Sequence, residues 1–502
     1  MPRPPRPPPP VAGLLLAPLL TGCFATGGTN GSSGSGSGLG GGARLRVALA
    51  FPPAENLSPY GADATLLSRL GVTEGLTTLD ANGTAAPALA ASWTRDSDRT
   101  WLFTLREATF QDGTEVTAAA VATALNKAAA AEPVPAALTG VHLTAKAAGD
   151  GRVRVTTGDP DPVLPLRLTS PGLVVLAPKA YGGTAVNPVG TATGPFEITK
   201  VTGTTAATLD RFDDYWGGRA QSAGVDVKFI ADGTARTNAL RTGGTDIAEA
   251  VPVSQAAALD RNVRHETATT RTTGLLLNTA SGPLKNAGLR AAVRAALDTS
   301  ALAEGVYEGY ADPGVGIYGP AVTWAADARV QPTGRAAAKD ADGTALTLAT
   351  YTNRPELPEA AQVVERQLTQ AGFTVKLVVR EYSRLESDAL DGRFDAVLAA
   401  RNTLLDTGDP VSILASDYTC AGDYNLAQLC DSRVDKAVAT AERAADTAER
   451  QRAALTAEAA ILGTDAVVPL VHQRIITGIA TTVRGTLLDP YERTLIGPGT
   501  RR

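Results

Sequence analysis

Apolar and polar positions first alternate over Arg44–Phe51, which reads as a strand, and the turn-rich Asn56–Gly61 run (NLSPYG) follows it as a loop. The same two-residue period predicts strands at Thr100–Arg106, Arg152–Thr156, Leu173–Leu176, Phe196–Val201, Thr208–Phe212, Leu346–Thr350, Phe373–Val379 and Phe394–Ala399. Helical spacing alternates with these runs. Thr117 is placed to N-cap a helix over Ala118–Ala131 that stops before Pro133. Leu289, Val293 and Leu297 share one face of Ala287–Leu297, and a further helix begins after Thr299. Ala361, Val364 and Leu368 do the same in Glu359–Ala371, with Gly372 as the C′ residue. A long helical stretch runs from Arg433 to Leu462. Strands and helices in this order imply an α/β protein with mixed sheets, and no internal repeat is apparent.

The N-terminus reads differently. A proline-rich start with two cations, Arg3 and Arg6, leads into the apolar run Val11–Leu20, which is short for a spanning helix and fits the apolar region of a signal peptide. The run ends in Leu20-Thr21-Gly22-Cys23, which resembles a bacterial lipobox, so residues 1–23 are expected to be a lipoprotein signal with Cys23 as the lipidated residue. Two or more acyl chains give a durable anchor without crossing the membrane. Residues 24–43 are Gly/Ser-rich and are expected to act as a flexible tether. Their Gly36–Gly41 string matches G-x-G-x-x-G, but no strand precedes it and no helix follows, so it is not read as a phosphate-binding loop.

At 502 residues the chain is too long for one ordinary core, and two or more lobes are expected. A net charge of −5 with no Lys/Arg-rich block argues against a nucleic-acid partner. Besides Cys23, only Cys420 and Cys430 are present, and two nearby cysteines in an exported chain suggest one disulfide. The histidines His142, His265 and His472 have no metal-ligand spacing, and no metal or cofactor is expected. No G-x-S-x-G, H-E-x-x-H or P-loop motif is found, so the chain is not expected to be an enzyme.

Several blocks, in order, carry a family resemblance. They include Thr73-Glu74-Gly75-Leu76, Pro87–Trp93, Trp101–Arg106, Phe110–Thr114, Gly194-Pro195-Phe196, Asp214–Gly217, Thr245-Asp246-Ile247, Leu277-Asn278-Thr279 and Asn425 through Asp435. The chain resembles family 5 extracellular solute-binding proteins, the dipeptide, oligopeptide and nickel binders of ABC importers. Trp93, Trp101 and Phe103 read as core aromatics of one lobe. The resemblance implies a type II periplasmic-binding-protein fold: two main lobes joined by a hinge, plus an inserted third domain. Domain I would comprise 44–56, 194–279 and 472–502, domain II 57–193, and domain III 280–471. A small-molecule or short-peptide ligand would be enclosed between domains I and III by hinge closure, then passed to an ABC permease. The chain is expected to work as a monomer.

In peptide-binding members a carboxylate in an Asp-x-x-[Asp/Glu]-Pro context receives the peptide ammonium. Asp406-Thr407-Gly408-Asp409-Pro410 fits, which marks Asp406 as the acceptor. Members usually carry Gly-Trp before it, where this chain has Arg401-Asn402-Thr403. Arg401 and Asn402 are therefore further candidates, Arg401 for pairing a ligand carboxylate or for neutralising Asp406 or Asp409. Tyr60 is a weaker cleft-lining candidate. A chelated-nickel ligand and a non-transporting sensor role stay open as alternatives.

Overall fold

The computed structural model describes residues 42–502, which form one compact unit. Cys23 and nearly all of the 24–43 tether lie outside the described residues. An 11-stranded mixed sheet dominates. In space it runs from Thr374–Arg380 through Ala345–Tyr351, Ala396–Asn402, Arg264–Leu277, Val467–Ile479, Ile247–Ala248, Leu45–Leu49, Gly224–Phe229 and Ala206–Arg211 to Phe196–Thr202. Ala311–Pro313 adds beside Val467–Ile479.

Two long antiparallel strands tie the halves of this sheet together. Arg264–Leu277 and Val467–Ile479 pair along almost their whole lengths, with a register break between Ala268 and Thr272. Beyond the break, Arg271–Leu277 also pairs with Ala396–Asn402. Neither long strand was legible in the alternation pattern, because Arg264–Leu277 begins as a mixed Arg/His/Glu/Thr run and ends in three leucines. Buried on both faces at one end and half-exposed at the other, it follows no single period.

Three large cores pack around this frame. Leu45, Val47, Phe196, Val225 and Ile247 form one. Phe103, Val121, Leu125, Val153 and Val155 form the second, where helix Ala118–Ala129 lies with the four-stranded sheet of Ala90–Arg95, Thr100–Leu105, Arg152–Thr157 and Leu143–Ala147. Thr117 caps that helix by accepting from Ala120 N. Leu275, Leu346, Leu348, Val364, Leu398 and Val434 belong to the third. Leu57, Leu67, Leu70, Val72, Val174 and Leu176 belong to the first core, so the 57–193 segment is anchored there at both ends. Gly194 marks the return of the chain, since a Cβ there would collide with the carbonyl oxygens of Gly71 and Val72.

Some expectations shift. Leu173–Leu176 is no strand and forms only the bridge Val174–Gly75. The stretch from Arg433 to Leu462 is two helices, Ser432–Arg443 and Thr447–Gly463, the second capped by Asp446. Phe103 is fully buried, but Trp93 and Trp101 are only half-buried. Trp93 lies opposite Phe103 on the edge strand of its sheet and Trp101 at a strand start, so both emerge at the margin of the core.

Candidate ligand-binding site

Strand Ala396–Asn402 delivers the chain into the 403–409 loop, and helix Pro410–Tyr418 carries it away. Asp409 caps that helix, accepting from Val411 N at 3.2 Å. It is 3% exposed and meets Arg450 in a bidentate pair of 2.8 and 2.6 Å. Burial alone would push its carboxyl up, but Arg450 outweighs this and holds it below the usual range. Arg450 spends its remaining nitrogen on the carbonyls of Ala441, Glu442 and Ala444. Asp409 is thus committed to the fold.

Asp406, three residues earlier, is exposed and makes no hydrogen bond or ion pair among the described residues. The loop turns back through Gly408 at φ 68°, where a Cβ would also press on Leu79 and Leu166. Behind the loop sits Arg493, 4% exposed, which the sequence reading did not single out. It donates to Leu404 O (2.8 Å), Leu405 O (2.9 Å) and Thr169 O (3.1 Å).

Arg401, one residue before the end of the strand, grips Asp417 with two bonds of 2.8 and 3.0 Å. Its guanidinium carbon lies 4.0 Å from the Tyr424 ring centre. Burial would lower its pKa, but Asp417 more than compensates and the cation is held. Asp417, rather than Asp406 or Asp409, is therefore its hydrogen-bonded counter-ion. Tyr424 sits in the loop between Cys420 and Cys430, which are joined by a disulfide. Asn402 is tied on every side: Thr270 Oγ1 and Leu404 N donate to its Oδ1, and its Nδ2 donates to Glu492. Glu492 also accepts two bonds from Arg271.

Arg401, Asn402 and Asp406 line one cavity of about 830 Å³, together with Thr139, Gly140 and Arg167 from the 57–193 segment. Tyr60 does not line it. It packs half-buried against the second core, where burial pushes its hydroxyl up to about 12. The two cations of the wall are both engaged, Arg401 by Asp417 and Arg167 by Asp161 at 2.7 Å. Asp406, Asp423 and Glu442 on the same wall have no ion-pair partner among the described residues. The free charge facing the cavity is therefore negative. Among the described residues, no group of three His, Cys, Asp or Glu side chains is placed to hold a metal ion.

Lobes tied together by two long strands, with a polar cavity walled from both sides, are the architecture of a solute-binding protein. The chain belongs to the bacterial extracellular solute-binding proteins of family 5, whose middle-region description matches residues 84–425. It is 26% identical over 473 residues to the glutathione-binding protein GsiB of Escherichia coli O1:K1, covering 86% of this chain and 90% of that one. It is 24% identical over 423 residues to the nickel-binding protein NikA of Staphylococcus aureus, covering 82% and 84%. In fold it is similar to NikA from Brucella suis in complex with Fe(III)-EDTA, with a TM-score of 0.78 at 22% identity over 91% of this chain and 99% of the other. Haemophilus influenzae OppA complexed with the peptide RPPGFSPFR gives a TM-score of 0.72 at 21% identity, covering 91% and 98%. The fold is that of type II periplasmic binding proteins, and the chain is an extracytoplasmic solute binder of an ABC import system.

Proposed function

We propose that this solute binder captures a peptide or peptide-like solute through its ammonium group, with Asp406 as acceptor, and presents it to the permease without chemical change. One observation carries the reading: Asp406 is an exposed, unpartnered carboxylate in a cavity whose cations are already neutralised. An ammonium leaving water needs such an acceptor. The relatives named for glutathione support it, because glutathione is a peptide with a free ammonium. The three cores support a three-part division near 44–56 with 194–279 and 472–502, 57–193, and 280–471, with the long strands as hinge. The ends of the 57–193 segment pack into the first core, and Leu275–Leu277 into the third. Cys23 would hold the monomeric protein to the membrane as a lipid anchor. Replacing Cys23 with Ser should release it into the medium, and persistent membrane association would refute the anchor.

Mass spectrometry of solute released from native protein by denaturation tests the ligand class. Calorimetry with glutathione and with its N-acetyl derivative, on the parent and on Asp406→Asn, tests the contact. A charge-assisted bond is worth about 1.5–3 kcal/mol, so losing either partner should weaken binding about tenfold or more, while losing both costs little extra. Additive losses would remove Asp406 from the ammonium site. A chelated-nickel reading draws on the nickel-binding relatives, and a nickel signal in the released solute would favour it.

A further inference from the structure

Three of the chain's four tryptophans meet at one place away from the Asp406 cavity. Trp93 and Trp101 come from the four-stranded sheet, and Trp324 from the short helix Thr323–Ala326 of the other side. With Leu166, Leu404 and Gly408 they wall a second cavity of about 240 Å³. The 403–410 loop separates the two chambers. Thr403, Asp406 and Thr407 line the polar one, and Leu404, Gly408 and Pro410 line the aromatic one.

Its walls carry no unsatisfied charge. Arg450 is the one ionisable residue among them, and its three guanidinium nitrogens are engaged by Asp409 and the carbonyls of Ala441, Glu442 and Ala444. The Trp101 indole N–H is likewise satisfied, donating to Asp161 O at 3.0 Å. Trp93 and Trp101 pack only partly buried against the core that holds Phe103, so each keeps some ring surface outside that core. Indole-lined walls favour flat rings through offset and edge contacts.

We infer that this cavity is a second binding site, for an uncharged aromatic ring of one or two fused cycles. Leu404 and Gly408 form its floor, so an occupant bears on the loop that carries Asp406. The ring can belong to a free aromatic molecule or to a side chain of the captured solute; the chemistry recognised is the same. The site does not depend on Asp406 receiving an ammonium.

The test uses 5-fluoroindole as probe, followed by ¹⁹F NMR on the purified full chain. Saturable binding is expected in the parent. Trp324→Ala removes one wall, and Ala85→Phe fills the space from another with all tryptophans kept; each should weaken binding at least tenfold. Asp406→Asn should leave it unchanged, since the probe carries no ammonium. Displacement of the probe by Ala-Phe but not by Ala-Ala assigns the ring to the captured solute, and displacement by neither assigns it to a free molecule. No saturable binding in the parent, or unchanged binding in folded Ala85→Phe, overturns the site. Loss of binding in Asp406→Asn would place the probe in the polar cavity and overturn it equally.

Discussion

Arg493 donates at 2.8 Å to the carbonyl of Leu404, two residues before the carboxylate that faces the polar cavity. Its other bonds reach Leu405 O and Thr169, so one residue of the C-terminal tail joins the Asp406 loop to the 57–193 segment. Its guanidinium makes no hydrogen bond to a carboxylate among the described residues, although its backbone N–H donates to Asp489; burial pulls its pKa down to about 10, with Asp489 opposing.

Arg493→Met should therefore leave several buried carbonyls without donors. At about 1–3 kcal/mol for each unsatisfied group, a loss of roughly 3 kcal/mol in denaturant unfolding is expected. Affinity for the captured solute should fall together with stability, because the backbone ahead of Asp406 loses its support. Unchanged unfolding free energy would show that solvent replaces these bonds.

The Arg450–Asp409 pair gives a sharper contrast. Asp409→Asn or Arg450→Met alone strands a buried charge and should cost about 3–5 kcal/mol. The double variant should recover much of that cost, which a double-mutant cycle by chemical denaturation measures directly. Full additivity would mean that the two residues act separately.

His472 sets a pH dependence. It is 1% exposed, and Val315 N donates to its Nε2 at 3.2 Å. Thr272 Oγ1 donates to Ile317 O and so accepts from Nδ1, leaving the ring neutral. Burial, reinforced by the Arg329 charge, lowers its pKa from 6.5 to about 4. The unfolded chain thus binds the proton first as pH falls. His472's contribution is complete above pH 6.5 and is lost on descending towards pH 4, by about 3 kcal/mol. Unfolding measured across this window should show a slope that is shallower in His472→Gln.

Arg401→Lys keeps the charge but loses the fork on Asp417 and the stack on Tyr424. It should destabilise by about 1.5–3 kcal/mol in thermal or denaturant melts. A neutral result would mean that a single ammonium suffices for Asp417.

How much was legible follows the range of the interactions. The helix over Glu356–Gln370, the Thr117 cap and most short strands are local and could be read within three residues, because periodicity and caps act over one or two turns. Asp406, Arg401 and Asn402 could be named from a short pattern, and they do line one cavity. Their roles could not be read. Arg401 meets Asp417 16 positions away, Asp409 meets Arg450 41 away, and Arg493 meets Thr169 324 away. Local pattern carries no information about such partners. Tyr60 packs against the second core and does not line the Asp406 cavity, which its loop position left open.

The sequence by itself determined the alternation of strands and helices, the ordered blocks that mark the family, and the residue types able to accept a cation. Tertiary structure alone decided which carboxylate stays free, for a charge is spent or available only according to what folds against it. It also decided that Arg264–Leu277 and Val467–Ile479 run as one long ladder, because pairing and burial on both faces override their mixed composition. The meeting of Trp93, Trp101 and Trp324 around one cavity was likewise settled only there, since the two sheet tryptophans and the third lie more than two hundred positions apart.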